Sequence, residues 1–236
     1  DQIGRLGTPA AIISRVGDDD FGRLNLDRLI ADGVDVSGIE VAKGEATGSA
    51  FVRYRPDGSR AFVYNIAHSA TGKLAFTPEA EALMESCDHM HVMGTALSAP
   101  GLSQVAREAV ARITARGGTL SFDPNLRPEI LDTPGLREAL DEVLAQTNLF
   151  LPSGEEIYLF TEADDEAAAV KELLDRGVGD IVIKRGNQGA SHFNRAGRTD
   201  VAPLSTDEVD PTGAGDCFGG AFVSFWLAGA TPETAL

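Results

Sequence analysis

Seven consecutive residues, Asp210-Pro211-Thr212-Gly213-Ala214-Gly215-Asp216, set three small side chains between two acids and run into the apolar stretch Cys217-Phe218-Gly219-Gly220-Ala221-Phe222. Gly213, Ala214 and Gly215 carry little or no side chain, so a ligand can approach their backbone closely. If the apolar stretch is a helix, their N–H groups are unpaired donors at its N-terminus, where the macrodipole also favours an anion. A phosphoryl group developing charge during transfer suits such a cradle. Asp216, on the first helical turn, stands where it can accept a proton from an attacking hydroxyl.

Other residues are expected at the same place. Lys184 ends the apolar run 180–184, well placed to meet phosphate oxygens as a point charge. Asn125 and Arg127 follow the run 119–123. The Arg127 fork either receives a carboxylate, a keto oxygen or a phosphate, or pairs with an acid to hold its loop. His89 and His91 share one strand face, a possible metal pair, but no third ligand is apparent and the run has core character. The acidic residues of 162–166 are expected to open a solvated helix, and Met90 and Met93 to fill core.

These side chains need a scaffold. Strands are predicted over 11–16, 87–93, 119–123, 148–151 and 180–184, and helices over 21–31, 134–145 and 167–174. A further helix is marked by Leu102, Val105, Ala106, Ala109, Val110 and Ile113 on one face and is stopped by Gly117-Gly118. The alternation predicts an α/β fold, a mainly parallel sheet with helices on both faces. Such folds bind ligands outside the C-terminal edge of the sheet. One stretch breaks the alternation. Runs 49–55 and 60–65 around Pro56-Asp57-Gly58-Ser59 predict a hairpin with no crossover helix, a small antiparallel lid over the site. The expected division is an α/β core of 1–44 and 67–236 with a lid of 45–66.

The chain has 236 residues, 43% hydrophobic and 24% charged, with 20 basic and 36 acidic side chains for a net charge of −16. That is ordinary globular composition, long enough to bury a core without staples. No apolar run approaches the ~20 residues of a membrane-spanning helix, and no Lys/Arg run offers a nucleic-acid footprint. The expected partner is therefore a small molecule, neither nucleic acid nor membrane. Cys87 and Cys217 lie far apart in apolar contexts and are expected buried and unpaired, in a reducing, cytoplasmic setting. The chain opens at Asp1 without Met and closes at Leu236 within a helical pattern, so both native termini are expected to lie beyond it.

Asp210-x-Thr212-Gly213-Ala214-Gly215-Asp216 resembles the C-terminal signature of the ribokinase-like (PfkB) carbohydrate kinases. In the same chain order, Gly17-Asp18-Asp19-Asp20-Phe21-Gly22 resembles the family's early G-x-D-x-F-G segment. Asp123-Pro124-Asn125-Leu126-Arg127 resembles its D-x-N-x-R segment, near to that of 2-keto-3-deoxygluconate kinases. Ile181-Val182-Ile183-Lys184-Arg185-Gly186-x-x-Gly189-Ala190 resembles the strand and glycine turn before its nucleotide site. The resemblance spans essentially the whole chain. It implies ATP-dependent phosphorylation of a sugar or sugar-acid hydroxyl, with Mg²⁺ bridging the phosphates. Asp216 would be the general base, and the Gly213, Ala214 and Gly215 amides the anion hole. Gly186 and Gly189 would shape the turn beside the nucleotide. Asp210 and Thr212 would help hold a monovalent cation such as K⁺, and paired lids would make a homodimer.

Two places depart from the family pattern. Its N-x-x-E motif, tied to magnesium and phosphate, appears as Ser153-Gly154-Glu155-Glu156, with Glu156 in the acidic place and serine in that of asparagine. After the hairpin, Phe62-Val63-Tyr64-Asn65-Ile66 has no arginine, which the sugar-acid kinases tend to carry. Tyr64 and Phe51 either stack on a sugar face or pack the hairpin. Two other functions fit the same scaffold, a nucleoside kinase and a non-catalytic sugar or nucleotide sensor. An aromatic content of 6% disfavours a base slot, and Asp216 beside the full small-residue turn disfavours a sensor.

Overall fold

The computed structural model describes residues 1–55, 60–126, 130–207 and 209–236. In chain order the elements are α1 (Gln2–Arg5), β1 (Ser14–Gly17), α2 (Asp20–Ala31), β2 (Ile39–Ala42), β3 (Ser49–Tyr54), β4 (Arg60–Asn65), α3 (Pro78–Glu85) and β5 (His89–Met93). They continue as α4 (Pro100–Ala115), β6 (Thr119–Asp123), α5 (Leu136–Leu144), β7 (Leu149–Phe150), α6 (Glu166–Asp175), β8 (Asp180–Lys184), β9 (Ala190–Asn194), β10 (Gly197–Val201), α7 (Ala214–Leu227) and α8 (Pro232–Ala235).

The main sheet has the order β10-β9-β8-β7-β6-β5. β5 to β8 run parallel, with Val92 beside Phe122, Phe122 beside Phe150 and Phe150 beside Ile181. β9 and β10 extend the sheet antiparallel. That edge was not foreseen, because Ser191, His192 and Thr199 interrupt the apolar pattern that marks the central strands. β7 is shorter than the run 148–151, yet Leu149, Phe150 and Leu151 are all fully buried.

Alternation along the central strands divides the core between two faces. Phe122, Phe150, Ile181 and Ile183 pack with Val110, Leu140, Val143 and Leu173 of α4, α5 and α6. Leu149, Leu151 and Val182 point the other way and pack with Phe222 and Val223 of α7. The expected two-sided cover is present. Phe122, Phe150 and Phe160 meet at centroid distances of 5.3–5.9 Å, two of the contacts edge-on. Truncating any one ring to alanine is expected to cost about 3–5 kcal/mol. This core fixes the ends of β6 and β8 and the first turn of α7.

The parallel pair β1–β2 and the hairpin β3–β4 are separate two-stranded sheets. The hairpin's root is tied down. Asp19 caps α2 by accepting the Gly22 N–H at 2.8 Å, and it also accepts the Thr47 N–H at 2.8 Å and the Thr47 hydroxyl at 2.6 Å. These bonds, Thr47's first, hold the Asp19 carboxyl down at about 2. A Cβ on Gly22 would sit 2.2 Å from the Gly17 carbonyl oxygen. The segment 17–22 is thus the anchorage of the hairpin.

Candidate active site

Gly213 takes φ +81, a conformation that suits glycine, and opens α7 as its N-cap. Gly213, Ala214, Gly215 and Asp216 then carry the N–H groups that have no partner within the helix. The Ala214 N–H closes the preceding turn onto the Pro211 carbonyl at 3.1 Å. The expectation of three free amides is corrected there: one of them is engaged by its own turn. A Cβ built on Gly213 meets nothing within 4 Å, and one on Gly215 meets only Lys184 Nζ at 4.0 Å. The space over both positions is open.

Three loops converge on it. β6 ends in Asp123, 2% exposed, whose carboxylate pairs with Lys184 at the end of β8, itself 11% exposed. Lys184 is neither a surface lysine nor free in the site: it is paired beneath the α7 turn. Just after β6, Asn125 donates its backbone N–H to Asp123 Oδ1 at 3.1 Å and its side-chain amide to Asp216 Oδ1 at 3.3 Å. Asp216 itself is exposed at the rim. Behind the pair lies His91, which burial first and the Lys184 charge second push down to about 4, so it is neutral near pH 7.

Glu156 is fixed by backbone amides on both sides. One carboxylate oxygen accepts the Ser153 N–H at 2.7 Å and the other the Leu126 N–H at 2.8 Å. Ser153 and Glu156 form a reciprocal capping box. Burial pushes the Glu156 carboxyl up, against the pull of those two amides. It clasps the Asn125 loop from below. Gly186 (φ +54) and Gly189 (φ +88) shape the turn after β8, and a Cβ on Gly189 would lie 2.0 Å from the Val201 carbonyl oxygen.

The hairpin meets the rim through a residue that sequence reasoning missed. Tyr54 Oη lies 3.1 Å from Asp210 Oδ1 and 3.4 Å from Thr212 Oγ1, while Asp210 Oδ1 also accepts the Thr212 N–H at 2.9 Å. Register then separates the two aromatic candidates. Ala50 pairs with Tyr64 and Phe51 with Val63, so Tyr54, Tyr64 and Phe62 share the face toward the rim and Phe51 takes the other. Tyr64 stacks on Phe62 at 5.8 Å. Phe51 is 66% exposed on the outer face, which corrects its assignment to the sugar. Arg127 lies outside the described residues.

The expectation that both cysteines are buried changes. Cys217 is exposed, because the first turn of α7 stands at the rim above the sheet, and Cys87 is half-buried; both are free thiols. His89 and His91 share Ser121 as a hydrogen-bond partner at 2.8 and 2.7 Å. Among the described residues no group of three His, Cys, Asp or Glu could hold a metal ion. A cavity of about 290 Å³ bordered by Leu126, Leu136 and Phe160 and one of about 230 Å³ bordered by Asp180, His192 and Trp226 both lie away from Asp216.

Residues 2–236 match the family described as pfkB family carbohydrate kinase. A 2-dehydro-3-deoxygluconokinase of Thermoproteus tenax is 32% identical over 98% of this chain and 71% of its own length. A fructokinase of Klebsiella pneumoniae is 31% identical over 96% of this chain and 73% of its own. A crystal structure of an E. coli protein provisionally named ribokinase II, in complex with ATP and Mg²⁺, superposes with a TM-score of 0.93 at 44% identity, covering 100% of this chain and 75% of that one.

Proposed function

The chain belongs to the pfkB family of carbohydrate kinases and phosphorylates a sugar hydroxyl with ATP, and we propose that the rim of α7 is where it does so. The observation that carries this reading is the space the protein keeps clear over Gly213 and Gly215, with the Lys184 ammonium 4.0 Å from a Cβ position and Asp216 at its edge. The Gly213 and Gly215 amides hold the transferring phosphoryl oxygens, and the charge of Lys184 supports them from below. Asp216 aligns the acceptor hydroxyl and takes its proton as the bond to phosphorus forms.

Mg²⁺ would supply charge neutralisation to the phosphates when bound. The donor set suits that role, because Mg²⁺ in such sites keeps its waters and takes few protein ligands. Glu156, with both oxygens on backbone amides, would hold it through water. Asp210 Oδ1, Thr212 Oγ1 and Tyr54 Oη bring three oxygens together, a donor set that suits a hard monovalent cation such as K⁺. Exchanging K⁺ for choline in the assay checks that site, with a fall in rate expected.

The two enzymes above are named for 2-dehydro-3-deoxygluconate and fructose, both six-carbon 2-keto compounds with a primary hydroxyl. We take a neutral sugar or sugar acid of this kind as the acceptor, held beneath a lid of 45–66 with Tyr64 and Phe62 facing it. Phe51 and Val63, cross-strand partners each 66% exposed, give the lid an apolar outer face for a second copy of the chain. Free Cys87 and Cys217 suit a cytoplasmic setting. ADP release is the test, measured over ketoses, aldoses, keto sugar acids and nucleosides. Release that depends on a sugar or sugar acid supports the proposal. Release only with nucleosides, or ligand binding without turnover, overturns it.

A further inference from the structure

Asn125 stands in the left-handed region at φ +41, and it is the one residue other than glycine with positive φ among the described residues. Glycine would hold this conformation without the Cβ penalty. What the asparagine adds is its side chain, and that side chain reaches Asp216 Oδ1 at 3.3 Å. The backbone around it is fixed on several sides. The Asn125 N–H is held by Asp123 Oδ1 at 3.1 Å, and Asp123 is buried against Lys184. The next N–H, that of Leu126, is held by Glu156 at 2.8 Å. Gly94, at the end of β5, admits the Pro124 carbonyl, which would lie 2.3 Å from any Cβ there. Gly219, one turn along α7 from Asp216, faces Asp123 with 3.8 Å between its Cβ position and Oδ2. Strand ends β5, β6 and β8 therefore set one amide against one carboxylate.

We propose that Asn125 is a positioning residue for Asp216, braced by buried Asp123, and that its amide holds Oδ1 so that Oδ2 is the oxygen that takes the proton of the acceptor hydroxyl. The inference rests on the assignment of Asp216 as the base. Without the brace an exposed aspartate samples several rotamers, and only a fraction of them aim at the hydroxyl. The amide thus acts on kcat and leaves the binding of either substrate alone.

Asn125→Gly is the variant that separates this role from a structural one, since it removes the amide while suiting the backbone. Expected are a melting temperature no lower than that of the parent, a kcat lower by about ten- to a hundredfold, and KM values for ATP and sugar within about twofold. In an Asp216→Ala background, where no carboxylate remains to be aimed, the same change should have no further effect on the residual rate. Native kcat in Asn125→Gly with Asp216→Ala inert would overturn the brace alone. So would a raised sugar KM at unchanged kcat, which would make Asn125 a sugar ligand, or an equal further loss in the Asp216→Ala background. Native turnover by Asp216→Ala itself would overturn the base assignment and the brace with it.

Discussion

The rim of α7 and the hairpin that faces it are built in opposite ways. Beneath the rim Asp123 and Lys184 are buried and paired, 2% and 11% exposed, and the loop between β6 and Leu126 is tied to Asp123 and Glu156. The hairpin's described side chains are largely exposed, and the phenol of Tyr54 reaches the rim at Asp210 and Thr212. Removing one member of a buried ion pair costs about 3–5 kcal/mol, whereas an exposed hydrogen bond contributes about 1 kcal/mol or less. The geometry that chemistry needs is placed where displacement is costly, and the cover that must open for substrate is placed where displacement is cheap.

That contrast can be broken in three places. The largest effect is expected at Gly215, where the protein has room for a side chain and the phosphate does not. Gly215→Asp puts an acid in the first turn of α7 beside Lys184, favourable for the helix, and sets a carboxylate against the phosphoryl group. Thermal stability should hold or rise while kcat/KM for ATP falls by about a hundredfold or more, and a parallel loss of both would show that Gly215 serves the fold instead.

A second test addresses the buried side of the comparison. His89 and His91 are pushed down to about 4, in each case by burial first, and then by each other's neighbourhood: His91 for His89, Lys184 for His91. Both stay neutral in the fold at pH values where the unfolded chain, with histidine near 6.5, protonates them. Their contribution to stability is complete above pH 6.5 and is lost as pH falls toward about 4, with a slope approaching two protons. Asp19 and Glu45, held at about 2, add to the loss only at the acid end, where the unfolded chain's carboxyls begin to protonate, and Glu156, pushed up by burial, acts in the opposite direction. The melting temperature followed from pH 7 to 4 should therefore drop less in a His89→Gln/His91→Gln variant than in the parent. Identical slopes would contradict the assignment.

The smallest effect is expected on the hairpin. Tyr54→Phe removes a hydroxyl that joins lid to rim, so sugar KM should rise by less than about tenfold, ATP hydrolysis without sugar should increase, and kcat should stay near its parent value. A collapse of kcat would mean that the lid carries chemistry, contrary to the contrast drawn above.

How much of this was legible in the sequence follows the same division. Thr119–Asp123 and Asp180–Lys184 were predicted to the residue because both are apolar runs ending in a charged side chain. The turn opening α7 was legible because Gly213, Ala214 and Gly215 are informative through what they lack. Position along the chain does not show which groups a charge will meet. Asp123 was seen as part of a motif, but its hold on both Lys184 and Asn125 depends on two strands 61 residues apart being neighbours of α7. Glu156 matched a motif, and the capping box it also forms had its cue, Ser153 three residues earlier, in view. In the hairpin the strands were legible and the facing of their side chains was not fully used: Phe51 and Tyr64 fall on opposite faces once the register is fixed by Ala50 opposite Tyr64. Tyr54 carried no signal of its own, since its partner is 156 residues away.

The central claim is that Asp216 accepts the proton of the acceptor hydroxyl at the mouth of the amide-lined turn. Its most direct test is the single-turnover rate of phosphoryl transfer in Asp216→Ala, with ATP affinity measured on the same preparation. The account predicts a rate lower by about 10²–10⁴-fold with ATP affinity kept; transfer at the native rate would contradict it.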